Sequence, residues 1–596
     1  MRRSIATVCL SGTLDEKLAA AARAGFDGVE LFEADLVTSP LAPAEVRELA
    51  ADLGLTIDLY QPFRDFEAVP ADVLRANLER ARRKFEVMER LGAGLLLVCS
   101  NVSPAAIGDD ELAAEQLREL ADRAGARGLR IAYEALAWGR HVNEYDHAWR
   151  IVDAAGHPAL GTCLDSFHVL SRGTDLAAVA GIDKVFYLQL ADAPHLAMDV
   201  LQWSRHHRCF PGQGAFDVAD FVGRVLATGY DGPLSLEVFN DVFRQADPDR
   251  TAVDAMRSLL VLENRLPPGP RLDGFAFVEI GVDADSGPET EELLRTLGFA
   301  RVGPHRSKPV QLWQHGAIRI VLNHGAGDDD PEVVAVAVES ADPHGSAERA
   351  EALLAPVLER RRGPDEADLS AVAAPDGTAV FFCGPDAGWL GDFVAVEPEE
   401  GDGVPIDRID HIALAQPFEA FDEAGLFYRS VLDLRPGPST ELAAPGGLVR
   451  SRALAGDGGV RIVLNVPALA GTQRGQAELQ HVAFACRDAL AAARAMRDRG
   501  APILPIPDNY YEDLDARYEL GPELLGQLRE LDVLYDRIED GELLHFYSAL
   551  EGRVFFEVLE RRGGYDGYGA ANSPVRMAAQ RTTTRRRDAA HAGRRS

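Results

Sequence analysis

Four residues of metal-ligand type stand near the ends of apolar runs in the first half of the chain. The runs are RIAYEAL, GTCLDSFH, VFYLQLAD and PLSLEVFN, and the residues are Glu134, Asp165, Gln189 and Glu237. Carboxylate and amide oxygens suit hard divalent cations, so Mg²⁺, Mn²⁺ and Co²⁺ are the candidates. One such residue alone indicates a strand meeting a turn. Four in consecutive runs predict a shared metal site.

Candidate proton-transfer and anion-binding residues lie close to these runs. His168 follows Asp165 in LDSFH, and an unperturbed histidine with a pKa of about 6.5 suits a catalytic base. Arg208 in SRHHRCFPGQG carries a planar fork that matches a substrate carboxylate, and Arg64 in YQPFRDFE is a second candidate contact. The alternatives are a histidine packed at a turn and, for Arg64, a surface ion pair. Glu30, near the end of an earlier run, is expected to line the site or orient a neighbour.

A second candidate metal set stands in the last third of the chain. His411, His481 and Glu557 occur in the strand-like runs RIDHIALA, LQHVAFAC and VFFEVLE. Two histidines and one carboxylate form the facial triad that suits Fe²⁺ with open positions. The alternative for each histidine is a buried, hydrogen-bonded core residue. We therefore predict a second divalent metal, Fe²⁺ or Mg²⁺, at this place.

The first part of the chain must position the first set. Residues 1–264 alternate strand and helix patterns eight times, which predicts a (β/α)₈ TIM barrel with chemistry at the carboxyl ends of its strands. The competing doubly wound sheet is disfavoured because no glycine-rich phosphate loop follows the first strand. The expected strands cover residues 4–10, 28–32, 56–62, 94–100, 129–135, 160–166, 185–191 and 233–239.

An internal repeat organises the rest of the chain after a linker at 265–271. GAIRIVLN at 316–323 recurs as GGVRIVLN at 458–465, which predicts two α+β modules, 272–390 and 406–575, with an acidic linker at 391–405. The repeat places Glu279, Ala335 and Cys383 at the positions of His411, His481 and Glu557. We therefore expect a first module without metal ligands and a second module with them.

Composition limits the remaining possibilities. The chain has 596 residues, a net charge of −33 and six scattered cysteines, which argues against nucleic-acid binding and against a disulfide framework. It has no apolar run long enough for a membrane span or a signal peptide, so we expect a cytoplasmic enzyme, and a homo-oligomer. Residues 576–596 are basic and lack apolar periodicity, so we expect a disordered tail.

These residues also resemble known families. The four strand-end residues, with LDSFH and RCFPGQG, resemble the xylose-isomerase-like TIM barrels, and Gln189 at the third ligand position is similar to bacterial 3-dehydroshikimate dehydratases. The C-terminal region resembles 4-hydroxyphenylpyruvate dioxygenases of the vicinal-oxygen-chelate (VOC) fold. Its YDGYGAANSPVRMAA segment, however, lacks the phenylalanine of their glycine-rich pattern.

The resemblance implies a hydro-lyase. Such an enzyme dehydrates 3-dehydroshikimate to protocatechuate in quinate and shikimate catabolism, with a metal polarising the ketone, His168 as base, and Arg208 and Arg64 on the substrate carboxylate. One alternative is a sugar or inosose isomerase or dehydratase on the same barrel. Others are a 4-hydroxyphenylpyruvate-type dioxygenase with a scaffold barrel, and a binding protein without activity.

Overall fold

The computed structural model describes residues 1–264, 266–326, 330–360, 362–396, 403–445, 447–467 and 479–595, with side chains to residue 585. These residues form two compact units, Met1–Leu266 and Pro267–Ser596. Among the described helices, none combines the length and the apolar character needed to cross a bilayer.

The first unit is a closed barrel of eight parallel strands, which confirms the predicted fold. Each strand pairs with its neighbours in chain order, and β1 also pairs with β8, which closes the barrel. The strands are β1 (Arg3–Ala6), β2 (Gly28–Phe32), β3 (Thr56–Phe63), β4 (Leu95–Cys99), β5 (Arg130–Glu134), β6 (Leu160–Asp165), β7 (Val185–Leu190) and β8 (Leu234–Leu236).

Helices surround these strands, and all of them except Glu33–Thr38, which has no buried residue, bury side chains towards the barrel. α4 ends at Gly92, whose φ of 73° lies in the left-handed region that favours glycine. The helices are α1 (Leu14–Arg23), α2 (Glu33–Thr38), α3 (Pro43–Asp52), α4 (Ala71–Leu91), α5 (Asp110–Gly125), α6 (Tyr145–Ala155), α7 (Ser166–Leu170), α8 (Val200–His206), α9 (Val218–Ala227) and α10 (Pro248–Leu262).

The strand ends place the predicted ligands at one rim. Glu134 is the last residue of β5, Asp165 is the last of β6, Gln189 is one residue from the end of β7, and Glu237 directly follows β8. In the ladder, Asp165 pairs with Gln189. All four therefore lie at the carboxyl-terminal face, where barrel enzymes build their active sites.

The second unit contains two sheets with matching strand order. The seven-stranded sheet has the order β10-β11-β12-β9-β13-β15-β14, and the eight-stranded sheet has the order β17-β18-β19-β16-β20-β23-β22-β21. The strands of the first sheet are β9 (Leu272–Gly281), β10 (Ala300–Pro304), β11 (Val310–His315), β12 (Ile318–Asn323), β13 (Glu332–Ser340), β14 (Ser370–Ala373) and β15 (Ala379–Cys383). Those of the second are β16 (Ile406–Ala415), β17 (Arg435–Ala444), β18 (Gly447–Ala455), β19 (Arg461–Pro467), β20 (Gln480–Cys486), β21 (Leu534–Ile538), β22 (Gly541–Tyr547) and β23 (Val554–Arg562).

Helices of this unit connect the strands of each module. They are α11 (Ser286–Thr296), α12 (Pro343–Ala352), α13 (Phe421–Val431), α14 (Ala489–Asp498), α15 (Asp508–Tyr518), α16 (Pro522–Leu531) and α17 (Ser573–Arg595). An early helix in each module, α11 or α13, follows the first strand of that module.

Strand register corrects two of the predicted equivalences between the modules. Val278 pairs with Ile320 as Ile412 pairs with Ile462, so the residue matching His411 is Phe277, not Glu279. The ladders of β13 with β15 and of β20 with β23 match Glu557 with Phe381, not Cys383. The match of His481 with Ala335 agrees with the ladder. Both errors are shifts of two residues, which leave a side chain on the same face of its strand and so escape pattern matching.

Two expected boundaries also differ from the structure. Val394 and Val396 donate backbone hydrogen bonds to Pro304 and Val302 beside β10, so the predicted linker at 391–405 begins later, and its residues 397–402 lie outside the described part. The tail expected to be disordered is helical to Arg595, because Met577 and Ala579 on α17 are buried. Ser596 lies outside the described residues.

Candidate active site and a second metal centre

The barrel rim brings buried carboxylates around one guanidinium. Glu134, Asp165 and Glu237 are each at most 5% exposed. Arg208 Nη1 donates to Asp165 Oδ2 at 2.8 Å and to Glu237 Oε2 at 3.1 Å, and Ser204 Oγ accepts from the other side of the fork. Arg208 is therefore part of the carboxylate cluster.

His168 lies directly beside this cluster. Its Nδ1 accepts the Ala137 backbone N–H at 3.1 Å, and its Nε2 lies 3.2 Å from Arg208 Nη2. Burial lowers the pKa of His168 to about 3; the Asp165 carboxylate opposes this shift, and the charges of Arg208 and Arg64 add to it. The ring is therefore neutral at physiological pH, which is the state that a general base requires.

Gln189 joins the cluster through Glu30, which the sequence predicted to line the site or orient a neighbour, and through Cys163 and Gln61, to which the sequence assigned no role in the site. Its Nε2 donates to Glu30 Oε2 at 2.6 Å, and its Oε1 accepts from Cys163 Sγ at 3.1 Å. Gln61 Nε2 bridges Glu30 Oε2 and Glu237 Oε1, each at 2.8 Å. Gln61 could have been predicted as a site residue, because it stands near the end of the third predicted strand.

The donor set fits a divalent cation. Glu134 Oε1 is buried without a hydrogen-bond partner in the described residues, and the nearest His168 nitrogen is 3.8 Å away. Ligand atoms of Glu134, Asp165 and His168 lie within 4.8 Å of one another. Burial raises the pKa of Glu134, and the charges of Glu237 and Asp165 raise it further. This excess of buried negative charge favours a cation in addition to Arg208.

The loop that carries Arg208 is fixed at its far end. Asp192 Oδ2 accepts the backbone N–H groups of Gly212 and Gly214 at 3.0 and 3.1 Å. A Cβ at Gly214 would meet backbone atoms of Ala193 at 2.6 Å, so the turn requires glycine there. The PGQG turn thus holds Arg208 at the rim, whereas the neighbouring His206 pairs with Asp241 and is partly exposed.

Arg64 follows β3 and is half-buried. Burial lowers the pKa of His168 and raises that of Cys99; the charge of Arg64 adds to the first shift and opposes the second, so Arg64 lies on the side of the site that these residues line. Its side chain forms no ion pair with any residue that the structure describes. Arg64 is therefore the arginine at this rim that is available to an incoming anion.

The second unit brings the other predicted ligands together. Nε2 of His411 lies 3.1 Å from Nε2 of His481, and Glu557 Oε2 lies 3.4 and 3.3 Å from these two atoms. Asp410 Oδ2 accepts from His411 Nδ1 at 3.0 Å, and His545 Nδ1 lies 2.7 Å from Glu557 Oε1. Ligands held by outer partners in this way fit a metal centre.

Residues around the triad hold its side chains in place through ion pairs and hydrogen bonds. Arg561 Nη2 donates to Asp410 Oδ2 at 2.8 Å, and Arg461 Nη1 donates to Asp410 Oδ1 at 3.0 Å. Despite its burial, the pKa of Glu557 is lowered well below the usual value by hydrogen bonds from the three histidines. Neither Asp410 nor His545 was singled out from the sequence, although both stand in strand runs beside predicted ligands.

Comparison with known proteins agrees with this architecture. Residues 18–261 match the model of the xylose isomerase-like TIM barrel. Residues 267–383 match that of the hydroxyphenylpyruvate dioxygenase N-terminal domain. Residues 408–517 match that of the glyoxalase, bleomycin resistance protein and dioxygenase superfamily. The fold and site therefore define a xylose isomerase-like TIM barrel joined to a VOC-type region, with a candidate metal-binding group in each.

Relatives extend the comparison to the full chain. A 3-dehydroshikimate dehydratase of Pseudomonas putida is 46% identical and covers 97% of this chain and 98% of its own length. A solved xylose isomerase-like TIM barrel/4-hydroxyphenylpyruvate dioxygenase fusion protein has a TM-score of 0.90 and 45% identity over 98% of this chain and 99% of its own. The 3-dehydroshikimate dehydratase of Neurospora crassa is 30% identical over 44% of this chain and 92% of its own length. The chain belongs to the 3-dehydroshikimate dehydratase family.

Removing a barrel carboxylate tests the first metal centre. We expect Glu134→Ala and Glu237→Ala to lose bound metal and to reduce turnover by about 100-fold or more, because each removes a buried oxygen donor. Metal content by mass spectrometry and steady-state turnover are the measurements. The control is Glu111→Ala on the exposed start of α5. Full metal content in both rim variants would contradict the site.

The second centre can be tested separately. We expect His481→Ala to abolish Fe²⁺ binding at this centre and to leave barrel turnover unchanged, because the two ligand sets lie in different units. Fe²⁺ binding would be measured by isothermal titration calorimetry. The matched control is His344→Ala, whose side chain is 84% exposed. Equal Fe²⁺ binding in both variants would show that the triad does not hold the ion.

Proposed function

We propose that the barrel dehydrates 3-dehydroshikimate to protocatechuate, a lyase reaction that requires a divalent metal. The observation that carries the proposal is the convergence of Glu134, Asp165 and Glu237 with Arg208 and His168 at one buried rim. Membership of the dehydratase family supports the substrate. The Neurospora relative supports the barrel as the catalytic part, because its match covers about the share of the chain that the barrel occupies.

Each rim residue has a defined task in this reaction. Glu134, Asp165, Gln189 and Glu237 would hold Mg²⁺, Mn²⁺ or Co²⁺, which when bound supplies Lewis-acid polarisation of the substrate ketone. Glu30 and Gln61 fix the orientation of Gln189 and Glu237 by the hydrogen bonds described above. This outer layer keeps the oxygen donors in place during turnover.

His168 performs the proton transfers in this proposal. A ring C–H bond breaks and its proton passes to Nε2 of the neutral His168 ring; this requires the tautomer that carries its own proton on Nδ1, so the Ala137 N–H contact to Nδ1 is given up in the reacting state. The ring C–O bond then breaks, and the same proton leaves with the hydroxyl group as water. A second ring C–H proton then moves to the ketone oxygen, which becomes a phenol; the ring is now aromatic, and this makes the overall reaction strongly favourable. His168 is only 4% exposed, so bulk water has little access to the proposed base before substrate binds.

Arginines provide the contact for the substrate carboxylate. Arg64 forms no ion pair with a described residue, which supports its assignment to this contact. Arg208 donates to Asp165, Glu237 and Ser204, so its use as a carboxylate contact requires that it exchange these partners for substrate. A divalent cation among the carboxylates favours that exchange, because it supplies the positive charge that Arg208 otherwise provides.

Replacing the proposed base separates catalysis from metal binding. We expect His168→Ala to lower kcat by about 10²-fold or more with normal metal content, because a proton carrier is lost and no proposed metal ligand is altered. Turnover and metal content would be measured on the same preparation, with His147→Ala on α6 as the control. Near-normal turnover of His168→Ala would assign the base to another group.

Metal removal tests the reaction itself. Purified protein given 3-dehydroshikimate should produce the ultraviolet absorption of protocatechuate, a chelator should abolish it, and added Mg²⁺, Mn²⁺ or Co²⁺ should restore it. Full activity after exhaustive chelation would refute a metal-dependent reaction. Turnover of ketoses without turnover of 3-dehydroshikimate would instead favour a sugar isomerase on this barrel.

A further inference from the structure

The first VOC-type module has a partly open cavity of about 280 Å³ that the proposed reaction does not use. We call this cavity the first cup; it lies on the inner face of the seven-stranded sheet. Its aromatic lining residues are Phe277, Phe381, Trp389 and Phe393, and its charged lining residues include Glu279, Lys308 and Arg360. Both kinds of group line the same cavity.

The floor of the first cup replaces a metal site with aromatic rings. Phe277 and Phe381 stand where the ladders of the second module place His411 and Glu557, and Ala335 stands at the position of His481. The Phe277 ring lies 4.8 Å from the Trp389 ring and 5.7 Å from the Phe381 ring, measured between centroids. Such a floor suits a planar aromatic ligand.

Two polar groups of the cup, the Glu279 carboxylate and the Arg360 guanidinium, are able to bind a ligand. Asn323 Nδ2 donates to Glu279 Oε1 at 2.6 Å, and no described residue hydrogen-bonds to Glu279 Oε2. Arg360 lies over the Phe381 ring at 4.8 Å, and it forms no ion pair with any residue in the described part of the chain. Lys308, in contrast, is paired with Glu366 at 3.0 Å.

These groups match the parts of one ligand class. We propose that the first cup is a binding site, without a metal, for a small benzoate that carries ring hydroxyl groups. The ring packs against Phe277 and Trp389, the carboxylate pairs with Arg360, and a hydroxyl group donates to Glu279 Oε2. Identity of this ligand with the product of the barrel rests on the proposed function; binding of the ligand class does not.

Other ligand classes fit less well. A purely apolar ligand would cover the partly buried Glu279 carboxylate without giving Oε2 a partner, which is costly, and would leave the exposed Arg360 guanidinium unused. A metal ion lacks its ligand set here, because within the described residues the groups able to hold one lie in the barrel and in the second module. A phosphate group would use Arg360 and leave the aromatic floor unused.

Binding can be measured on the full chain with 3,4-dihydroxybenzoate as the probe. Trp389 lines the cup, so its fluorescence should change on binding, and Trp389→Phe should remove that change. Because the probe can also occupy the barrel, the titrations would be repeated in Glu237→Ala, which disables the barrel site. The expected result is saturable binding that persists in Glu237→Ala.

Two variants and a matched control identify the contacts. We expect Arg360→Gln and Glu279→Gln each to weaken binding by about tenfold, the loss of one charged hydrogen bond, in calorimetric titrations of the Glu237→Ala background. Arg362→Gln, an exposed arginine paired with Asp368, should bind normally. Benzoate without hydroxyl groups and catechol without a carboxylate should each bind more weakly than the probe.

The outcomes separate this inference from the proposed function. Loss of all binding in Glu237→Ala, or equal affinity in Arg360→Gln, Glu279→Gln and Arg362→Gln, would overturn the cup as a site for this ligand class. Dehydratase activity of the otherwise unaltered chain is assayed in parallel. An active enzyme without cup binding refutes the inference alone. An inactive enzyme that still binds the probe in the cup counts against the dehydratase proposal alone.

Discussion

The barrel rim depends on keeping several carboxylates together away from water. Glu30, Glu134, Asp165 and Glu237 are all buried, and such groups repel one another strongly at low dielectric. Burial raises the pKa of Glu30, and the charge of Glu237 raises it further, which favours the neutral form there. Arg208 and the amides of Gln61 and Gln189 provide the remaining compensation. The fold therefore has to hold one arginine and two amides with precision, and the turn around Asp192 and the closed barrel do so.

In the second unit, imidazole groups compensate the charge of a buried carboxylate. Hydrogen bonds to His411, His481 and His545 lower the pKa of Glu557 well below its ordinary value despite complete burial. Asp410 accepts hydrogen bonds from Arg461 on β19 and Arg561 on β23, so an ion network on two neighbouring parts of the sheet supports the centre. A compensated centre of this kind can persist without a metal, whereas the barrel rim retains a buried Glu134 oxygen without a partner.

The sequence predicted the parts of the molecule that follow from periodicity. Eight apolar runs with capped helices between them were sufficient for the closed barrel, and ligand-type residues at the ends of those runs were sufficient to locate the rim. The hydrogen-bonded layer was not predictable in the same way. Glu30 was expected to orient a neighbour, but its partner was not predictable; Gln61 reaches Glu237 from a strand distant in the chain, and no local pattern specifies which amide reaches which carboxylate. The helical tail was missed because burial of Met577 and Ala579 depends on tertiary packing.

The comparison of the two modules shows why strand register matters more than residue type. A shift of two residues preserves the face of a strand, so aligned sequence strings paired Glu279 and Cys383 with metal ligands although the ladders assign those positions to Phe277 and Phe381. The corrected register changes the interpretation of the first module. Its inner face has not simply lost a metal set; it carries large rings at the corresponding points, and Glu279, displaced by two positions, remains on the same face beside the cavity. The same sheet geometry therefore supports an ionic centre in one module and an aromatic cavity in the other. The difference lies in the side chains at three ladder positions, those of His411, His481 and Glu557 in the second module.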